Sequence, residues 1–415
     1  MRILFILGMF HPRYSANGVC CQNVIDECIR RGWKVDCVVN SYLGNYKQYE
    51  VNGATVYPIK PRLSYRIIEK GEAKKYGAIS TAAIRIGNLL NRAQLFVHQK
   101  RWPLVSKAYT ESFFRKAKEL LREENYDFII AAYTPIDCVL AAARLKRCFP
   151  KVRFIPYYLD ALAGGWGPHS WTEEKRELSL RKWETIVDAD ADRIFSMLSA
   201  KDYHEKKPLS DFNSKRIFLD VPMMLEPIYT NSKHKEDKVL LYAGNISYPR
   251  RNPIPLLNSL ELLFKMGKYT VLFAGTINNP SIFEPYLNRT NGRIRLLGQL
   301  SHDKLIELEK EIDCFINLGS DNPNTIPCKI FEYMRFGKPI ISTYSIDNEP
   351  SKQYLNRYVN SLCIDEREAP EDNAKRMFSF LLEERASVDF SLLLNTFYYN
   401  TPGAFADTLE GIKDE

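Results

Sequence analysis

Apolar residues along this chain fall into short unbroken runs, many β-branched, separated by stretches with helical spacing. Arg2–Leu7, Lys34–Asn40, Thr55–Ile59, Phe128–Ala132, Arg153–Tyr158 and Arg193–Met197 read as buried strands. Val19–Arg31 (closed by Gly32), Ile136–Cys148 and the charged Thr172–Asp188 read as helices between them. The pattern then restarts. Strands are expected at Val239–Ala243, Thr270–Ala274, Ile294–Leu297, Cys314–Leu318 and Ile340–Ser342, with helices around Pro255–Met266, His302–Ile312 and Pro327–Phe336. Continuous apolar strands alternating with helices predict parallel sheets covered on both faces.

Two such series predict an α/β protein of two doubly wound, Rossmann-like domains. The first is expected over 1–219 and the second over 238–395. Between them, 220–237 lacks periodicity and ends in a polar run from Asn231, which reads as a linker. An apolar helical pattern around Phe397–Ile412, within 396–415, is free to pack on either domain, back onto the first included. In such sheets ligands bind outside the carboxyl ends of the strands. Two domains facing across a cleft therefore put the chemistry in the loops after the strands.

Composition narrows the class. The 415 residues are 45% apolar and 26% charged, which excludes a disordered chain, a collagen-like rod or a disulfide miniprotein. The longest apolar run, Ile3 to Phe10, is too short to span a bilayer. It reads as a first buried strand and not as a signal peptide, because His11, Pro12, Arg13 and Tyr14 are a poor lead-in to a cleavage site. The nine cysteines form no C-x-x-C pair, and Cys28, Cys37, Cys138, Cys148 and Cys314 lie in apolar segments. Reduced thiols and a cytoplasmic protein are expected.

Charge is unevenly placed. The net charge is +8, and 60–101 holds ten basic residues against Glu69 and Glu72. Tyr65, Ile67, Ile68, Leu89, Leu90, Leu95, Phe96 and Trp102 are interleaved with them. That mixture suits a helix lying on an anionic membrane surface. It equally suits a solvated helical face or a site for a polyanionic substrate. Without a nucleic-acid module signature, a nucleic-acid partner is not expected.

Three loops carry candidate chemistry. Gly18 stands just before the first helix, where backbone N–H groups can approach a phosphate; an ordinary strand–helix turn would look the same. The segment is not G-x-G-x-x-G, so no dinucleotide site follows. After Val239–Ala243 come Gly244, Asn245 and the adjacent Arg250 and Arg251. Guanidinium groups bind diphosphate oxygens bidentately, although two solvated arginines on a turn fit as well. Gly275 and Gly298 end neighbouring strands. In the segment Asn322–Pro339, Thr325 is placed to cap a helix with Pro327 in its first turn and Gly337 past its end. Lys329 and Glu332 share a face of that helix. Glu332 can accept two ribose hydroxyls, or simply pair with Lys329.

Gly18, Gly244 and the run Lys329-Ile330-Phe331-Glu332-Tyr333-Met334-Arg335-Phe336-Gly337-Lys338-Pro339 together resemble the GT-B glycosyltransferases of family four, the "group 1" transferases. The resemblance covers essentially the whole chain. It implies that Glu332 is the second glutamate of the family's E-x7-E motif and holds the nucleotide ribose. The first glutamate, which contacts the donor sugar, falls at Asn324, beside Thr325 and Ile326. The family's G-R-x4-K diphosphate site falls on Gly244, Asn245 and Arg250, so its arginine is replaced by Asn245 and its lysine by Arg250. Arg251 and Lys329 are substitutes for the missing charge.

On the acceptor side, the resemblance turns attention to Asp160, just past the strand Arg153–Tyr158. It is a candidate base or acceptor-hydroxyl partner, or else a cap for the following loop. Trp166 and His169 in the Gly-rich segment after it are candidates for stacking on an acceptor sugar. Asp188-Ala189-Asp190 looks like a D-x-D metal motif, but its place between a helix and a strand points to a boundary role, and no metal is expected. The catalytic group thus comprises Asp160, Arg250 and Lys329.

The resemblance implies a glycosyltransferase without a cofactor. It would use a UDP- or GDP-sugar and a glycan acceptor, lipid-linked, in cell-surface polysaccharide synthesis. It would act in the cytoplasm or peripherally on the inner face of the membrane, with retention and without metal. Asn245 and Asn324 keep open a catalytically inactive sugar-nucleotide or glycan-binding protein on the same scaffold. A sugar-nucleotide epimerase of this architecture is a third reading.

Overall fold

The computed structural model describes every residue except 13–14, 74–76, 105, 166, 169, 207–209, 230–236, 322, 324–325 and 386. The chain divides into two units, Met1–Pro222 with Pro402–Glu415, and Met223–Thr401.

The first unit opens with β1 (Arg2–Ile6), α1 (Ala16–Arg30), β2 (Lys34–Asn40), β3 (Tyr49–Val51) and β4 (Ala54–Ile59). A helix pair, α2 (Leu63–Ala73) and α3 (Ala78–Val97), precedes α4 (Lys107–Glu123). Then come β5 (Phe128–Tyr133), α5 (Ile136–Cys148), β6 (Arg153–Tyr158), α6 (Glu173–Asp188), β7 (Ile194–Met197), α7 (Lys201–Lys206) and β8 (Arg216–Leu219). The sheet order is β3-β4-β2-β1-β5-β6-β7-β8, and only the short β3 runs antiparallel, against β4. All six residues of β5 are buried, as a central parallel strand requires. The chain winds outward from β1 to one side, then crosses to β5 and winds to the other. The loops after β1, β5 and β6 therefore flank the reversal point, where open α/β sheets bind ligands.

The second unit runs β9 (Lys238–Ala243), α8 (Ile254–Met266), β10 (Tyr269–Ala274), α9 (Glu284–Arg289), β11 (Ile294–Gly298), α10 (His302–Glu311) and β12 (Cys314–Leu318). It continues with α11 (Lys329–Met334), β13 (Ile340–Tyr344), α12 (Pro350–Leu355), β14 (Ser361–Asp365), α13 (Pro370–Leu382) and α14 (Phe390–Thr396). Its sheet order is β11-β10-β9-β12-β13-β14, parallel throughout, with the reversal between β9 and β12. The last helix, α15 (Pro402–Asp414), belongs to the first unit. Its Phe405 packs on Tyr157 and Phe195, and its Asp407 pairs with Arg31 of α1 at 2.7 Å.

The two doubly wound sheets expected from the hydrophobic pattern are present. Three differences have physical causes. Strands β3, β8 and β14 carry too few consecutive apolar residues to stand out. Residues 223–229, read as linker, are fastened to the second unit: the Met224 N–H donates to Asn400 O at 2.9 Å and the Ile228 N–H to Arg335 O at 2.8 Å. Met223 and Met224 are buried there, which periodicity could not reveal. All nine cysteines are free thiols, and Cys148, expected in an apolar setting, is exposed as the last residue of α5.

Candidate functional site

In the second unit, the loop after β9 is held between its neighbours on both sides. The Gly244 N–H donates to Ala274 O at 2.8 Å and the Ile246 N–H to Thr276 O at 2.9 Å, so this loop runs alongside the one after β10. Asn245 Oδ1 accepts the Thr276 N–H at 3.2 Å. The Asn278 amide clamps Tyr248, accepting from its N–H and donating to its carbonyl, both at 2.9 Å. Gly275 sits at φ +139° with Gly244 O only 2.0 Å from where a Cβ would stand, so no side chain fits. On the other side, the Asp321 N–H after β12 donates to Arg250 O at 3.3 Å.

Asn245, where the resemblance implies a lost arginine, thus spends its side-chain oxygen on tethering two loops. Arg251 turns back to donate to Asn245 O at 3.3 Å, while Arg250 is exposed.

Helix α11 is pinned to the same place. The buried Tyr333 hydroxyl accepts the Ala243 N–H at 3.0 Å and donates to Ala243 O at 3.1 Å, and its ring stacks on Phe315 at 4.1 Å. Ala243 immediately precedes Gly244, so the helix bearing Lys329 and Glu332 is locked to the root of the loop bearing Arg250 and Arg251.

The expected helix Pro327–Phe336 is shorter than read. It begins at Lys329, and Cys328 occupies the N-cap position with no side-chain hydrogen bond. The residue before a proline is steered away from helical geometry, so Ile326 cannot join it. Glu332 consequently lies in the first turn. Thr325 and Asn324 fall outside the described residues, as do Trp166 and His169.

Lys329 pairs with Glu332 and lies 3.6 Å from Glu309 of α10. Burial opposes the charge on Lys329, but these two carboxylates hold its pKa above the ordinary value. Glu309, only 3% exposed, was missed by sequence reasoning. Burial pushes its carboxyl up to about 7 against the pull of Lys329. One signal could have found it. Glu309 is four residues after Leu305 and three after Ile306, an acid on the apolar side of a helix.

In the first unit, Ser15 caps α1 by accepting the Gly18 N–H at 3.1 Å. A Cβ on Gly18 would lie 2.5 Å from Met9 O. The glycine is therefore required by backbone packing, and its own N–H is engaged by the cap. Just before it, Asn17 Nδ2 donates to Tyr133 O at 3.2 Å and to Asp160 Oδ2 at 2.8 Å. The start of α1, the end of β5 and the loop after β6 are thereby joined at the reversal point. Asp160 remains reachable by solvent, yet crowding by protein raises its pKa, with the Asn17 donor acting in the opposite sense.

The D-x-D segment has other employment. Asp188 Oδ2 accepts from Arg216 at 2.6 Å and its Oδ1 accepts the Tyr158 hydroxyl at 2.8 Å. Asp190 pairs with Arg147 at 2.7 Å, and Asp192 pairs with Lys146 at 2.8 Å while accepting the Phe154 N–H.

Residues 237–382 match the family model described as Glycosyl transferases group 1. No curated protein matches the sequence. Among solved structures, the chain is similar to the catalytic domain of starch synthase IV from Arabidopsis thaliana bound to ADP and acarbose. That likeness has 12% identity and a TM-score of 0.60, covering 99% of this chain and 98% of that one. It is also similar to a glycosyltransferase from Rickettsia africae ESF-5, at 10% identity and a TM-score of 0.61, covering 99% and 98%. A third likeness is to HepE from Anabaena in complex with UDP-glucose, at 12% identity and a TM-score of 0.54, covering 98% and 95%. The fold is GT-B, and with the family match in the second unit it supports a transferase.

Proposed function

We propose that this GT-B transferase moves a sugar from a nucleoside diphosphate sugar to a hydroxyl of a lipid-linked glycan, with retention at the anomeric carbon and without a metal. The observation that carries the donor half is the Tyr333–Ala243 lock. It brings a carboxylate able to accept two ribose hydroxyls, Glu332, to the root of a loop carrying two arginines at the sheet's reversal point. Arg250 and Arg251 balance the charge that grows on the diphosphate as its bond to the sugar breaks. Lys329 joins them by exchanging its Glu332 contact for the donor. Asp160, at the reversal point of the first unit, takes the proton of the acceptor hydroxyl as that oxygen bonds to the sugar and the nucleoside diphosphate leaves. The product would belong to a cell-surface polysaccharide.

Calorimetric titration with UDP, GDP, ADP and CMP tests the donor half. One nucleotide should bind selectively, and Glu332→Ala should abolish that binding. Binding of none of them would remove this reading.

A second reading, nucleotide-sugar binding without transfer, is favoured by Asn245, whose side chain tethers loops where the resemblance implies a phosphate-binding arginine. Donor hydrolysis in the absence of acceptor separates the two. Turnover that is lost in Glu332→Ala supports the transferase, and binding without any turnover supports the second reading.

A further inference from the structure

The helix pair α2–α3 approaches closely at small residues, and α3 leaves several of its large apolar ones outside. A Cβ on Gly71 would lie 2.9 Å from Ser80 O, and a Cβ on Gly87 would lie 2.9 Å from Ser64 O. Ser64 and Ser80 are buried, and the Ser80 hydroxyl donates to Gly71 O at 2.6 Å. The backbones approach closely, with Ile68 over Gly87 and Ile84 over Gly71.

The opposite side of α3 is different. Ile79, Ile86, Leu90 and Val97 recur at seven-, four- and seven-residue steps, which keeps them on one narrow stripe. Leu89 and Phe96 widen that stripe on one flank. Phe96 is 79% exposed, Val97 71%, Ile79 70% and Leu89 67%. Over a helix about 30 Å long this is a continuous apolar face toward solvent.

Charge says what covers it. Arg85 and Arg92 lie beside Leu89 and Phe96, and the exposed Lys100 and Arg101 follow the helix end. The whole of α3 contains no acidic residue. A protein partner or second copy of this basic chain would need acidic groups to meet that flank, and α3 offers none to another α3. An anionic lipid surface supplies both a hydrocarbon boundary for the stripe and headgroup charge for the arginines. No helix among the described residues is long and apolar enough to cross a membrane.

We infer that α3 lies in the plane of an anionic membrane, its Ile79–Val97 stripe at the acyl boundary and Arg85, Arg92, Lys100 and Arg101 at the headgroups. This inference rests on the first unit alone and stands apart from the donor reading.

The experiment is sedimentation of the full chain with vesicles of phosphatidylcholine alone and of phosphatidylcholine mixed equally with phosphatidylglycerol. Binding should require phosphatidylglycerol and fall steeply with salt. Leu90→Glu should abolish it, and Arg92→Ala should weaken it about fivefold. Both residues are exposed, so unchanged melting temperatures are expected and confirm folding. Light scattering on the same samples reads self-association. Lack of vesicle binding, equal binding to both compositions, or a dimer dispersed by Leu90→Glu would each overturn the inference. Nucleotide titration of Leu90→Glu should match the parent chain, so failure of the donor reading and failure of this one are told apart.

Discussion

Asn17, in the first turn of α1, donates its side-chain amide to the carboxylate of Asp160, 143 residues later, at 2.8 Å. One hydrogen bond thus joins the start of α1 to the loop after β6, across the end of β5.

Asp160→Asn should therefore cut kcat by roughly a hundredfold to ten-thousandfold while leaving nucleotide affinity intact. Asn17→Ala removes a donor that favours the ionised carboxylate, so the acid limb of the pH–rate profile should move to higher pH. A profile that does not move would detach Asn17 from the chemistry.

Glu309 predicts a pH-dependent stability. Its carboxyl titrates near 4.5 in the unfolded chain and near 7 in the fold, because burial disfavours its charge. Between those values the folded state binds the proton more tightly, so stability is fullest below 4.5 and falls as pH rises through 7. The loss is on the order of 3 kcal/mol. Glu309→Gln should flatten this slope, making the variant more stable than the parent at about pH 8 but not at about pH 5. Urea denaturation at the two values checks it, and parallel shifts at both would refute it.

Tyr333→Phe keeps the stacked ring and deletes both hydrogen bonds to Ala243. A destabilisation of about 2 kcal/mol is expected, from buried backbone groups left without that partner. Nucleotide affinity should drop with it, because the helix carrying Glu332 loses its register against the Gly244 loop. Calorimetry on a variant shown to be folded reads both effects, and an unchanged affinity would mean the lock is structural only.

Arg216 holds two buried carboxylates, donating to Glu184 at 2.9 Å and Asp188 at 2.6 Å. Burial and the neighbouring Glu184 charge push Asp188 up to about 7, against the pull of Arg216. Burial likewise depresses the adjacent His204 to about 3, so it stays neutral and cannot replace the arginine. Arg216→Ala should cost roughly 3 to 5 kcal/mol. The deficit should grow with pH, as the stranded carboxylates are forced to ionise. A deficit independent of pH would show that packing alone was lost.

The strands β1, β2, β6 and β12 were legible within a residue or so because short, largely apolar segments of β-branched and aromatic residues have few alternatives in a parallel sheet. The helix α5 was legible for its clean apolar spacing. The short α11 was overestimated, since a cap residue and a terminal glycine in sequence do not say which turn closes first after a proline. Glu332 stood out by its motif. Glu309 did not, because nothing local marks its helix as the wall against which Lys329 packs.

By itself, then, the order of residues determined two doubly wound units, the strand ends on which loops could carry chemistry, and the basic, apolar character of 60–101. Those properties follow from periodicity and composition, which are local. The tertiary structure alone decided that Asn245 tethers loops, that Lys329 lies between Glu332 and Glu309, that Asn17 meets Asp160, and that the apolar face of α3 turns outward. The contacts of Asn245 with Thr276, Lys329 with Glu309 and Asn17 with Asp160 depend on groups separated in the chain being brought within a few ångströms. The outward face of α3 depends on which side packs on α2, and no local pattern encodes either.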